Sequence, residues 1–213
     1  MNLTKVSAII LLIAALGIVL ALIFFGFTTN YAIAKNEDSA VIQDSSNTAV
    51  KAKMNALLLY HTKTGHTLEA ANAIVQGIQS AGGSVTLVLA KDFTPQTINQ
   101  YDMLIVGSPC WGGSIANGIS TPIADAINKI TNEVTGKLCA GFSVNAGYGG
   151  QSTVKSLGER LKAKGCADYV AGPVAKAGVP FSLWVGSAVK PEDLARYRAF
   201  GEDLVKKFTR QKK

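Results

Sequence analysis

The chain has 213 residues, 48% of them hydrophobic and only 16% charged, with 21 lysine and arginine against 14 aspartate and glutamate residues. One core of roughly 100–200 residues plus an appendage fits that length, and the composition excludes a disordered chain or a coiled coil. Three cysteines, Cys110, Cys139 and Cys166, with no CxxC pair and only two histidines, exclude a zinc or iron–sulfur site.

Val6 to Phe27 is a run of 22 residues without a charge, long enough as a helix to cross the roughly 30 Å hydrocarbon core of a bilayer. A secretory signal competes, because Lys5 precedes the run and Ala32, Ile33 and Ala34 form a small-x-small pattern. Signal cores span about 7–15 residues, so an uncleaved anchor over 1–28 is expected, a single-pass membrane segment. Lys5 on one flank and Lys35, Lys51 and Lys53 on the other leave its orientation undecided. Residues 29–53 are polar and aperiodic and read as a flexible tether.

From Met54 to the C-terminus, strands alternate with helices. Asn55 to Tyr60 holds a continuous apolar run, as in a central strand covered on both faces. Leu68, Ala71, Ile74 and Ile78 recur at helical spacing, and Gly82 with Gly83 supplies a stop. Ser84 to Leu89 reads as the second strand, and Thr94 with Pro95 as the start of a short helix. Met103 to Val106 forms the third strand, ending in Gly107; Thr121 and Pro122 cap a helix with Ile123, Ile127 and Ile130 on one face. Leu138 to Val144 forms the fourth strand, with Cys139 a buried strand residue and Cys166 an ordinary one. Val154, Leu157 and Leu161 mark the next helix, stopped at Gly165, and Asp168 to Ala171 begins a fifth strand. Gly172 to Ser187 is ambiguous. Pro191, Glu192 and Asp193 open a last helix that buries Leu194, Tyr197, Leu204 and Phe208 and ends in Lys206, Lys207 and Arg210. This alternation predicts an α/β fold with a parallel sheet.

Polar, glycine-containing loops follow strands one, three and four, where such a sheet binds ligands. The first, Thr62, Lys63, Thr64, Gly65, His66, Thr67, leads into a helix N-terminus whose amides suit a phosphate, with threonine hydroxyls as further donors. It matches the Ser/Thr-x-Thr-Gly-x-Thr signature with which flavodoxin-like proteins hold the phosphate of flavin mononucleotide (FMN). The second loop, Gly107, Ser108, Pro109, Cys110, Trp111, Gly112, Gly113, resembles the loop covering one side of the isoalloxazine ring in that family. The third, Asn145, Ala146, Gly147, Tyr148, Gly149, Gly150, resembles the loop covering the other side.

The resemblance spans about 160 residues, to the closing helix with its Ala199, Phe200, Gly201. It implies a doubly wound three-layer sandwich with strand order 2-1-3-4-5, FMN as cofactor, and the flavin at the switch between strands one and three. Trp111 is expected to stack on the flavin, with burial in the core as the alternative, and Tyr148 likewise. His66 and Lys63 read first as solvated loop residues, and Cys110 as a packing neighbour before a reactive thiol. The peptide between Gly112 and Gly113 can turn its carbonyl toward flavin N5 at little steric cost.

Two features depart from the family pattern. The third loop lacks the usual acidic residue, and from Met54 onward 17 lysine and arginine face 11 aspartate and glutamate residues, where flavodoxins are commonly acidic. Acidic partners or anionic lipid suit such a surface. The basicity does not indicate nucleic acid, since no helix-turn-helix or aromatic RNA-binding motif is present. Two functions fit: a membrane-held electron carrier serving a redox partner protein, or an FMN-dependent NAD(P)H:quinone oxidoreductase drawing quinone from the bilayer. A flavodoxin-shaped scaffold without cofactor is a third reading.

Overall fold

The structure, a computed structural model, describes residues 54–110, 118–179 and 186–212. Five strands, β1 (Asn55–Tyr60), β2 (Ser84–Leu89), β3 (Met103–Pro109), β4 (Leu138–Asn145) and β5 (Asp168–Lys176), form one parallel sheet in the order β2-β1-β3-β4-β5. Four α-helices connect and close it: α1 (His66–Ser80), α2 (Thr121–Lys129), α3 (Gly150–Ala163) and α4 (Pro191–Gln211). The doubly wound order expected from the sequence is present. The expected membrane span and tether lie outside the described residues; among those described, no helix is long and apolar enough to cross a membrane.

Alternation along each strand builds two cores. Ala56, Leu58 and Ile105 point toward α1 and α4, packing with Ile74, Ile78, Phe142, Tyr197 and Leu204. Leu57, Leu59, Leu104 and Val106 point to the opposite side, against Ile123, Ile127, Leu157 and Leu161 of α2 and α3. A central strand buried on both faces has no polar side to show, which is why β1 reads as an unbroken apolar run. The α1–α4 contact is unusually close. A Cβ on Gly77 would strike the Arg198 carbonyl, and one on Gly201 would strike the Ile74 carbonyl, so the two backbones touch where neither has a side chain.

Several local expectations are corrected. β3 runs on through Gly107, Ser108 and Pro109, pairing with Phe142, Ser143 and Val144, so those residues belong to the sheet. β5 extends to Lys176, through part of the stretch that was ambiguous. It is an edge strand, where Pro173 costs no ladder bond, and the register of β4 against it slips between Gly141 and Ser143. Thr121 does not cap α2: Ser120 is the N-cap, and Thr121 and Pro122 occupy the first helical positions. Leu194 is only partly buried, whereas Tyr197, Leu204 and Phe208 are buried as expected. Cys139 is fully buried on β4, and Cys166 is buried beside it in the same core.

At the pole where the strands begin, Asp102 accepts the Asn55 N–H at 3.0 Å through one carboxylate oxygen and meets Lys212 Nζ at 3.2 Å through the other. One side chain therefore holds both the first strand and the end of the last helix.

Candidate functional site

All three candidate loops emerge at the opposite pole, beyond the strands' carboxyl ends. β1 pairs with β2 on one side and β3 on the other, so the chain leaves these central strands in opposite directions, the kind of switch point at which doubly wound sheets bind ligands.

In the first loop, Gly65 sits at φ 92° and its N–H donates to Thr62 Oγ1 at 3.0 Å, folding the loop over the start of α1. Gly65 is itself the N-cap, so no side-chain oxygen caps the helix. A Cβ at this position would meet nothing within 4 Å, so open space lies beside the turn. An uncapped helix start, a left-handed glycine and free room together suit a phosphate. Lys63 is exposed, and Thr62 and Thr64 are half-buried.

His66 departs from the solvated loop residue expected. It is the first residue of α1 and only 5% exposed, with Nδ1 3.2 Å from Glu69 Oε1. The other Glu69 oxygen accepts the Val189 N–H at 3.0 Å, tying α1 to the segment that leads into α4. Thr67 is buried as well. The spacing of His66 and Glu69, three apart on one helix, was the available signal for the pair; Val189 lies 120 residues from its partner and left none.

The second loop is seen at its two ends. Ser108 is fully buried; its Oγ accepts the Ser120 N–H at 3.0 Å and donates to the Pro109 carbonyl at 2.9 Å, bracing the return of the chain. Half-buried Cys110 donates its N–H to the Val144 carbonyl and pairs with Ile119. A Cβ on Gly118, at φ 70°, would sit 3.2 Å from Cys110 Sγ and collide with Thr153 Oγ1, so this loop's exit is packed on the first turn of α3. Trp111, Gly112 and Gly113 lie outside the described residues.

The third loop is shaped by Asn145, which is buried. Its Nδ2 donates to the Ala175 carbonyl at 3.0 Å, and its Oδ1 accepts the Gly147 N–H at 2.9 Å. Asn145 thus fixes the loop against β5. Ala146, Gly147 and Gly149 are half-buried, and Gly149, at φ 85°, caps α3 as Gly65 caps α1, again without a side-chain acceptor. Tyr148 is 58% exposed. An aromatic ring left outside the core on a glycine loop suits stacking against a planar ligand. No carboxylate occurs at residues 61–65, 107–110 or 145–149.

His61, just beyond β1, donates its N–H to the Gly107 carbonyl at 3.2 Å, and burial lowers its imidazole below the usual histidine value. The unfolded chain therefore takes up this proton first. The stability linked to His61 is fully present above about pH 6.5 and is lost as pH falls through the lowered folded value. We expect the urea midpoint to drop between pH 7.5 and 5.5, and His61→Gln to flatten that dependence; an unchanged slope in the variant would refute the assignment.

A model of the flavodoxin family, described as "Flavodoxin", matches residues 58–177. Flavodoxin of Aquifex aeolicus is 28% identical over 137 residues, covering 64% of this chain and 74% of its own. Among solved structures, oxidised flavodoxin 1 from Bacillus cereus aligns with a TM-score of 0.56 and 24% identity, over 71% of this chain and 97% of that one. The flavodiiron core of Flv1 from Synechocystis aligns with a TM-score of 0.59 and 22% identity, over 76% of this chain but 37% of its own.

Proposed function

The chain belongs to the flavodoxin family, whose cofactor is FMN and whose members pass electrons to redox partner proteins, and on that premise we propose that it is a flavodoxin-type electron carrier held at a membrane. The observation that carries the reading is the presence, at one pole of the sheet, of a glycine-capped helix start open to an anion and an exposed tyrosine on a glycine loop.

Bound FMN supplies the redox chemistry, taking up and releasing one or two electrons at its ring. The chain's part is to hold and orient. In this reading the Gly65 turn and the first amides of α1 receive the phosphate, Thr62, Thr64 and Thr67 add hydroxyls, and Lys63 adds positive charge from the rim. Glu69, by gripping His66 and Val189, keeps that helix start in place. Tyr148, set by the Asn145 brace, covers one ring face, with Ala146, Gly147 and Gly149 beside it. Ser108 and Pro109 brace the start of the loop that follows β3; Trp111 and the Gly112–Gly113 peptide, which the sequence assigns to the second ring face and to N5, lie outside the described residues.

The membrane part of the proposal rests on the uncharged run from Val6 to Phe27, with residues 29–53 as the tether. Full-length protein purified in detergent should show a bound-flavin visible spectrum that NADH and NADPH alone leave unbleached, and that a reduced carrier-reductase bleaches. Bleaching by nicotinamide followed by recovery with a soluble quinone would replace the carrier with the quinone-reductase reading. No flavin after reconstitution would sink both.

A further inference from the structure

Positive charge is not spread evenly over the domain. The strands begin, and the helices end, at the pole where the chain enters at Met54. The end of α3 and the residue after it bring Arg160, Lys162 and Lys164, the last donating to the Asn128 carbonyl at the end of α2. The end of α4 brings Lys207, Arg210 and Lys212. With Lys129 and Lys137 this pole holds eight lysine or arginine residues against three carboxylates, Asp102, Glu133 and Asp168. On the remainder of the described domain, eight lysine and arginine residues face eight carboxylates. Most of the net charge of the described domain therefore lies at one end.

The three carboxylates there are already engaged. Asp102 holds Asn55 and Lys212, Asp168 meets Lys207 at 2.7 Å, and Glu133 accepts the N–H groups of Thr131 and Asn132. Lys129, Lys162 and Arg210 are exposed, and among the described residues none has a carboxylate within 4 Å. A cationic end with its own acids consumed internally is built to meet an external anionic surface.

We infer that this pole docks on an anionic lipid surface, which turns the cofactor loops away from the bilayer toward the aqueous phase. The inference rests on the membrane-tethered reading above. Two observations favour lipid over an acidic protein. The domain begins at Met54, at this pole, so any membrane segment supplied by the residues before it connects on the side where the cations lie. The cations are also spread over the ends of three helices, matching a broad surface. The cofactor loops stand a strand's length off, roughly 20 Å for six residues at about 3.3 Å each. A docked domain therefore exchanges electrons with a partner in the aqueous phase, and a quinone dissolved in the hydrocarbon is out of reach.

The test is lysine acetylation footprinting of the full-length chain, loaded with FMN and reconstituted into vesicles of phosphatidylcholine alone or with phosphatidylglycerol. Lys129 and Lys162 should be acetylated roughly fivefold more slowly in the anionic vesicles, with protection lost at about 0.5 M salt, while Lys63 and Lys176 at the cofactor pole stay equally reactive. The exposed-residue variant Lys129→Gln/Lys162→Gln/Arg210→Gln should lose that protection at Lys164. Equal reactivity in both vesicles would overturn the inference, as would protection by soluble polyglutamate but not by anionic lipid, which would assign the pole to an acidic protein. Release of the chain by alkaline carbonate would instead defeat the tethered reading itself, so the two failures are separable.

Discussion

Replacing Gly77 by alanine lowers the unfolding free energy by about 3 kcal/mol, the upper part of the range for forcing a methyl group into a packed interior. The new Cβ would lie on the Arg198 carbonyl, with the Arg198 carbonyl carbon 2.8 Å away and the Glu202 amide nitrogen 3.1 Å away. These are backbone atoms of a helix, so no rotamer change relieves the overlap, and α1 and α4 must move apart. That movement loosens contacts around Ile74, Ile78, Tyr197 and Leu204. Gly201→Ala acts on the same interface from the other side. Because the first substitution already separates the helices, the double variant should cost clearly less than the two single losses added together. Urea titration of the three variants checks this. A loss under 1 kcal/mol for Gly77→Ala, or strict additivity, would show that the helices slide past one another freely.

The second large effect falls on cofactor affinity. Gly65→Ala places an L side chain at φ 92°, a strain of roughly 1–2 kcal/mol, in a turn that the Thr62 hydroxyl holds closed. The space around the new methyl is empty, so the backbone alone bears the cost. Relieving it rotates the peptides that face the phosphate, and FMN should bind on the order of tenfold more weakly. Gly82→Ala is the matched control, since Gly82 stands at φ 80° with equally open surroundings but at the far end of α1. It should lose similar stability and keep FMN affinity, read by quenching of flavin fluorescence on binding. Equal weakening by both substitutions would mean that affinity merely follows global stability.

The parts of the fold legible in the sequence were those specified locally. β1 and β2 could be bounded from their apolar runs, and the stop of α1 from Gly82 and Gly83. The end of β3 could not, because Gly107, Ser108 and Pro109 have no intrinsic preference for a strand. They are held there by β4, and the Phe142 ring occupies the space that a Cβ on Gly107 would need. Gly172 in β5 is a similar case: a Cβ there would come 2.8 Å from the Phe200 ring of the last helix. At the site, the threonine loop was readable because helix start, glycine turn and hydroxyls are contiguous. The burial of His66 was not, because it depends on the chain near Val189 closing over Glu69. Asn145 was placed in a ligand loop by resemblance and by its position after strand four; that its side chain spends both polar atoms on the protein depends on β5 and had no local signal.

Asp102, which grips Asn55 with one oxygen and Lys212 with the other, brings the domain's entry and exit to one spot. A unit whose two ends meet can be appended to another polypeptide, or spliced into one, without stretching either junction. The same architecture makes up little more than a third of the Synechocystis flavodiiron core, where it is one piece of a longer chain. The geometry at Asp102 thus makes the fold a transferable part, open to new company at its ends while the opposite face keeps its chemistry.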